Sequence, residues 1–287
     1  MKSIYRSATG KKLILEIYDR HLKLLNLQYE DKHVSTRYGD THIIITGNKD
    51  RPPLITMHGG NAYTPDSLQN ILPLTKSFCI YAIDTIGQPG KSAETRLSAK
   101  NLNYGYWLQD VLDSLHFESS DIFCGSFSAG IALRLATVAP EKIHKLLMVV
   151  PSGIANGSAL QQLQLLLPYM RYRFKPSRQN LIKLASTIIT DFYDIRLEFL
   201  EATFKHYKAT TKMPRPAKKG ELDGLTAPVM IFCTTGDIMF PAKRVLPRAR
   251  KIIPNLVNAE VVDGLHEPAP ESFELITEKA IEFFSGG

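Results

Sequence analysis

The chain has 287 residues, of which 44% are hydrophobic and 22% charged; this suits one α/β domain with an insertion and excludes a disordered chain. Its net charge of +7 gathers in clusters at 171–178, 212–219 and 243–251. No nucleic-acid motif accompanies them, so they read as solvated surface with at most a preference for anionic substrates or surfaces, and no nucleic-acid partner is expected.

Residues 11–28 predict an amphipathic helix with Leu13, Ile17, Leu24 and Leu27 near one face. Glu16 and Asp19 interrupt its apolar part, which argues against a signal or transit peptide. No apolar run approaches the ~18 residues of a membrane span. A soluble, cytoplasmic protein is the expectation. Two short strands follow, in H-V-S-T-R-Y and T-H-I-I-I-T, with Gly39 and Asp40 as the hairpin turn.

Buried strands are predicted at 54–58, 78–84, 121–125, 145–151, 228–234 and 258–263. Helical patterns separate most of them, and E-S-F-E-L-I-T-E-K-A-I-E-F-F forms the last helix. Continuous apolar strands alternating with helices mean a mostly parallel sheet covered on both faces. Counting the hairpin, the class is α/β with a mostly parallel eight-stranded sheet. Cys79, Cys124 and Cys233 lie in these runs, as buried free thiols rather than a disulfide framework. No CxxC spacing is present, so no zinc site is expected.

The stretch 152–225 is too long for one crossover and holds no convincing strand. Leu181, Leu184, Ile188 and Phe192 recur at helical spacing, and Phe199, Phe204 and Tyr207 more loosely. Placed at the C-terminal strand ends, where open α/β sheets bind ligands, it reads as a helical cap. The core is then 1–151 with the N-terminal helix, resumed at 226–287.

The run F-C-G-S-F-S-A-G-I-A-L-R-L-A, 123–136, carries Ser126 and Ser128 between a strand and a helix. A nucleophilic serine on such a turn needs small residues two positions to either side. Cys124 and Ser128 flank Ser126; Ser126 and Gly130 flank Ser128. Spacing alone leaves both open. Register favours Ser126, which lies just past the apolar strand and puts Ala129, Ala132, Leu133 and Ala136 on one helix face.

From Ser126 the chain reads S-F-S-A-G-I-A-L-R-L-A-T-V-A-P-E, ending at Pro140 and Glu141. This resembles the α/β-hydrolases, with Cys124 and the Ser128–Ala129 pair in place of the usual glycines. The resemblance implies the α/β-hydrolase fold and a triad in the order serine, acid, histidine. Asp237 follows a strand in T-G-D-I-M-F-P, similar to the family's acid loop, and His266 follows one in D-G-L-H-E-P. Backbone N–H groups of Phe127 and Gly60, in H-G-G-N-A, are implied as the oxyanion hole, with Asn61 a nearby alternative and His58 orienting the turn. The glycine-rich run from Asp84 to Ser92 reads as a structural turn, since its spacing is not that of a phosphate loop.

The implied activity is hydrolysis of a carboxylic ester through an acyl-enzyme, with no metal or organic cofactor. A serine at the elbow argues against the related dehalogenases and epoxide hydrolases, which use aspartate. H-G-G-N-A departs from the H-G-G-P-G of proline iminopeptidases. Leu165, Leu166 and Tyr169 point to a small-molecule ester with a partly apolar group. Acyl transfer to another alcohol and a non-catalytic ligand-binding role stand as alternatives.

Overall fold

The computed structural model describes residues 3–286. Helix α1 (Ala8–Leu24) starts at Ser7, whose hydroxyl accepts the Gly10 N–H. It buries Ile14, Ile17, Tyr18, His21 and Leu22, while Leu13 and Leu24 are exposed and Leu27 lies beyond its end. Of the expected stripe only Ile17 is buried on the helix. Tyr18 and His21 turn inward because each finds a buried partner, Asp84 for the phenol and Tyr63 with Gln69 for the imidazole.

Strands β1 (Tyr29–Thr36) and β2 (Gly39–Thr46) pair antiparallel with Thr36 opposite Gly39. The hairpin turn is thus Arg37–Tyr38, not Gly39–Asp40. Asp110 fixes it, taking both the backbone N–H and the guanidinium of Arg37. Gly39 opens β2 at φ 121°, a backbone state open to glycine.

The chain continues through β3 (Pro53–Met57), α2 (Thr64–Ile71), β4 (Cys79–Ile83), α3 (Asn103–Ser114), β5 (Ser120–Gly125), α4 (Phe127–Val138) and β6 (Ile143–Val149). Then come α5 (Ala159–Phe174), α6 (Arg178–Ala185), α7 (Asp194–His206), β7 (Val229–Thr234), α8 (Ala242–Ile252), β8 (Leu256–Val262) and α9 (Pro270–Ser285). Among the described residues eight strands form one sheet in the order β1-β2-β4-β3-β5-β6-β7-β8, parallel from β4 onward. From β3 the chain steps to β4 on one side, then to β5 on the other. The ends of β3 and β5 therefore flank the topological switch point, where doubly wound sheets open a crevice.

Alternation along β5 feeds two apolar layers. Ile122 and Cys124 pack with Trp107, Leu108 and α4; Phe123 faces the side of Tyr18, Ile276 and Phe284. All three cysteines are free and buried. Burial pushes the Cys233 thiol up to about 12, which keeps it protonated and inert.

In the stretch 152–225, α6 ends at Ala185, so Ile188 and Phe192 lie in the following loop, contrary to the helical spacing. Thr187, Ile188 and Ile189 are successive β-branched residues, which disfavour helix. Helix α7 packs on α1, with Phe199 stacked on Tyr63 at a ring separation of 3.6 Å. No helix among the described residues is long and apolar enough to cross a membrane.

Candidate active site

Ser126 joins β5 to α4 at φ 52° and ψ −118°, a conformation costing a non-glycine residue on the order of 1–3 kcal/mol. Its surroundings hold it there. The Ser126 N–H donates to the Val149 carbonyl at 2.9 Å, and its own carbonyl accepts the N–H and hydroxyl of Ser152 at 3.1 and 2.8 Å. A Cβ on Gly130 would come within 2.6 Å of the Ser152 hydroxyl, so α4 passes this loop only with glycine there. Cys124 is fully buried, and burial raises its thiol pKa.

Ser128 is fully buried. Its Oγ lies 2.9 Å from the Met57 carbonyl and 2.8 Å from that of Gly125, and accepts the Gly125 N–H at 3.1 Å. Its hydroxyl braces the turn between β3 and β5. The Ser126 hydroxyl instead lies 2.8 Å from His266 Nε2.

His266 Nδ1 is 3.0 Å from Asp237 Oδ2. A carboxylate only accepts, so Nδ1 carries the proton and Nε2 faces the serine hydroxyl as acceptor. Asp237 Oδ1 accepts the N–H groups of Met239 and Phe240 at 2.7 and 3.0 Å. The Asp237 side chain is shut away from solvent, while that of His266 is 14% exposed. The histidine is therefore reachable and the acid is dry.

Backbone geometry holds the histidine loop. Gly264 sits at φ 145°, and a Cβ there would meet the Glu267 carbonyl at 2.6 Å. The Leu265 N–H donates to that carbonyl at 3.0 Å, and the Gly236 N–H ties the acid loop to Gly264 at 2.9 Å. The Phe240 ring meets the His266 imidazole edge-on at 5.5 Å.

Phe127 is the first residue of α4, so its N–H has no partner within the helix. The β3–α2 turn passes beside it: a Cβ on Gly59 would lie 3.7 Å from Ser126 Cβ, and one on Gly60 3.2 Å from Phe127 Cβ. Asn61 does not serve as an open donor. Its N–H is taken by Gln88 at 2.9 Å and its side chain by Thr210. His58 is buried, donates from Nδ1 to the Gly59 carbonyl at 2.8 Å and accepts the Thr85 N–H at 3.1 Å. Burial lowers its pKa and keeps it neutral.

Two polar clusters take members from distant parts of the chain, the first centred on Asp84 at the head of the glycine-rich turn. Asp84 is fully buried and accepts from Tyr18 and the Lys91 N–H at 3.0 and 2.8 Å and from Thr64. It also pairs at 2.9 Å with His42, whose other ring nitrogen is 2.7 Å from Asp31. Burial alone would lower the His42 pKa; the bond to and charge of Asp84, joined by Asp31, override it and raise the value. In the second cluster Arg196 of α7, buried, meets Asp66 of α2 at 2.8 Å and Glu267 at 2.9 Å. Burial raises the Glu267 pKa against the opposing charge of Arg196. Apart from Lys91, the partners are distant in sequence, and no local pattern announces them.

No family model matches the chain. It is 26% identical over 285 residues to carboxylesterase YbfK of Bacillus subtilis (strain 168), covering 95% of this chain and 93% of that protein. The crystal structure of naproxen esterase (carboxylesterase NP) from Bacillus subtilis is similar with a TM-score of 0.84 at 22% identity, over 97% of this chain and 99% of that one. The crystal structure of carboxylesterase CesB (YbfK) from Bacillus subtilis has a TM-score of 0.82 at 23% identity, over 98% and 100%. Both likenesses concern the fold, and the whole-length sequence match accompanies them. The chain has the α/β-hydrolase fold and is similar along nearly its whole length to carboxylesterases.

Proposed function

We propose that this protein hydrolyses carboxylic esters through an acyl-enzyme on Ser126. The observation that carries the reading is the continuous line from Ser126 Oγ through His266 to Asp237, at 2.8 and 3.0 Å. The names of the relatives support an ester as the substrate class.

In this mechanism Ser126 Oγ attacks the ester carbonyl as His266 Nε2 takes its proton. Asp237 fixes the tautomer and stabilises the imidazolium. The N–H groups of Phe127 and Gly60 hold the oxyanion, in a setting where such donors are worth far more than in water. His266 then gives its proton to the leaving alcohol. Water, activated by the same nitrogen, releases the acid and restores the serine.

The helices of 152–225 act in this reading as a cap over the strand ends. Arg196 anchors the cap to the histidine loop through Glu267. The apolar Leu165, Leu166 and Tyr169 fit an ester with a partly apolar acyl or alcohol group.

Turnover of p-nitrophenyl acetate and butyrate tests the reading. Ser126→Ala is expected to lower kcat by at least about a thousandfold. Turnover by the variant equal to that of the parent would overturn it.

A further inference from the structure

Of the fourteen large apolar side chains that are exposed among the described residues, seven lie on α5. Five of them, Leu160, Leu163, Leu167, Met170 and Phe174, are 41% to 82% exposed. Their spacing of three, four, three and four residues draws one stripe along the helix. Tyr172, which faces the opposite way at 100° per residue, is buried with Leu181 and Leu184 of α6. The helix therefore packs by one side and offers the other, apolar, to the surroundings. A surface of that kind marks an interaction site.

The charges around the stripe indicate the partner. Arg171, one turn beyond Leu167, borders one edge; Arg173, close to Met170 in the helical projection, borders the other; and both are exposed. Lys175 follows directly after the helix, and no Asp or Glu occurs from residue 142 to residue 190. Glu201, the carboxylate that acts on Tyr172, belongs to the packed side. An apolar stripe edged by arginines is the pattern of a helix lying in a membrane interface, with guanidinium groups reaching back to the headgroups. A second copy of this helix would bring no carboxylate of its own to meet those arginines.

We propose that α5 docks this protein on an anionic lipid surface. The stripe enters the boundary between headgroups and acyl chains, and Arg171 and Arg173 meet lipid phosphates. The protein rests on the membrane by one helix and does not span it.

Co-sedimentation with vesicles tests this, using phosphatidylglycerol–phosphatidylcholine mixtures beside pure phosphatidylcholine. The protein is expected to pellet with the anionic vesicles, and less so when salt is raised to about 0.5 M. Leu163→Glu with Leu167→Glu is expected to weaken binding about tenfold or more. Arg171→Gln with Arg173→Gln is expected to weaken it about tenfold on the anionic vesicles only. Both pairs alter exposed side chains, so unchanged melting and unchanged turnover of a soluble short-chain ester confirm intact variants. Three results would overturn the proposal: parent protein left in the supernatant, variants that bind like the parent, or a dimer that the leucine variant dissociates without any vesicle binding.

Discussion

Arg196 reaches from α7 to Glu267, the residue directly after His266, at 2.9 Å. The same guanidinium holds Asp66 at 2.8 Å, and the Glu267 N–H donates to the Ile188 carbonyl at 2.8 Å. The loop carrying the proposed base is thus fastened to the stretch 152–225 by an ion pair of the buried Arg196 with the partly buried Glu267 and by a backbone bond. Arg196→Met leaves two carboxylates facing each other without their cation. Breaking such a buried pair costs about 3–5 kcal/mol. Urea unfolding is expected to show a loss in that range; a loss under about 1 kcal/mol, the scale of an exposed pair, would contradict the role.

Ser128 and Ser126 are separable by substitution. Ser128→Ala removes the brace between β3 and β5 and leaves the Gly125 N–H without its partner. The expected cost is about 1–3 kcal/mol of stability, with ester turnover reduced yet measurable. Turnover as low as that of Ser126→Ala, in a protein as stable as the parent, would return the nucleophile to Ser128.

The loop glycine makes a sharper demand. Gly264→Ala forces a Cβ against the Glu267 carbonyl at a position with φ 145°. His266 must shift to accommodate it. The expectation is a fall in kcat of at least about tenfold, since misplacing a reacting group by ~1 Å costs about a hundredfold. A variant with parental kcat would show that the loop tolerates the strain without moving the imidazole.

The His42–Asp84 pair gives stability a pH dependence with a definite sign. The folded-state pKa of His42 is raised, so its contribution is complete below the ordinary histidine value of about 6.5 and is lost as pH rises through the folded value. The folded-state pKa of Asp84 is lowered, against the burial that would raise it, chiefly by the bond to His42. Its contribution is present above the ordinary carboxylate value and lost as pH falls through the folded one. His58, whose pKa burial lowers, acts oppositely to His42; comparison with a His42→Gln variant cancels it. The stability difference between parent and variant is expected to be larger at pH 6 than at pH 9. An equal difference at both would contradict the pairing.

The central parallel strands were legible because each is a short, mostly apolar run, the mark of a strand buried on both faces; β8, expected to be buried, is the edge strand and is largely half-buried or exposed. The place of Ser126 at the turn between β5 and α4 was legible because the apolar strand ends just before it. The missed features share a cause. The α1 face was misjudged because Tyr18 and His21 are polar in sequence and become core only through Asp84, Tyr63 and Gln69. The hairpin turn was misplaced because Asp110, far along the chain, fixes Arg37. Arg196 and Ser128 likewise take their meaning from long-range partners. Local pattern reads apolar strands and the turn that ends them; it does not read who meets whom across the sheet.

The most direct test of the central claim is labelling with a serine-directed fluorophosphonate, with mass spectrometry of the modified peptide. One phosphonate on Ser126 is expected, absent from Ser126→Ala and retained in Ser128→Ala. Label on Ser128, or none on folded protein that also fails to turn over p-nitrophenyl esters, would contradict an activated Ser126.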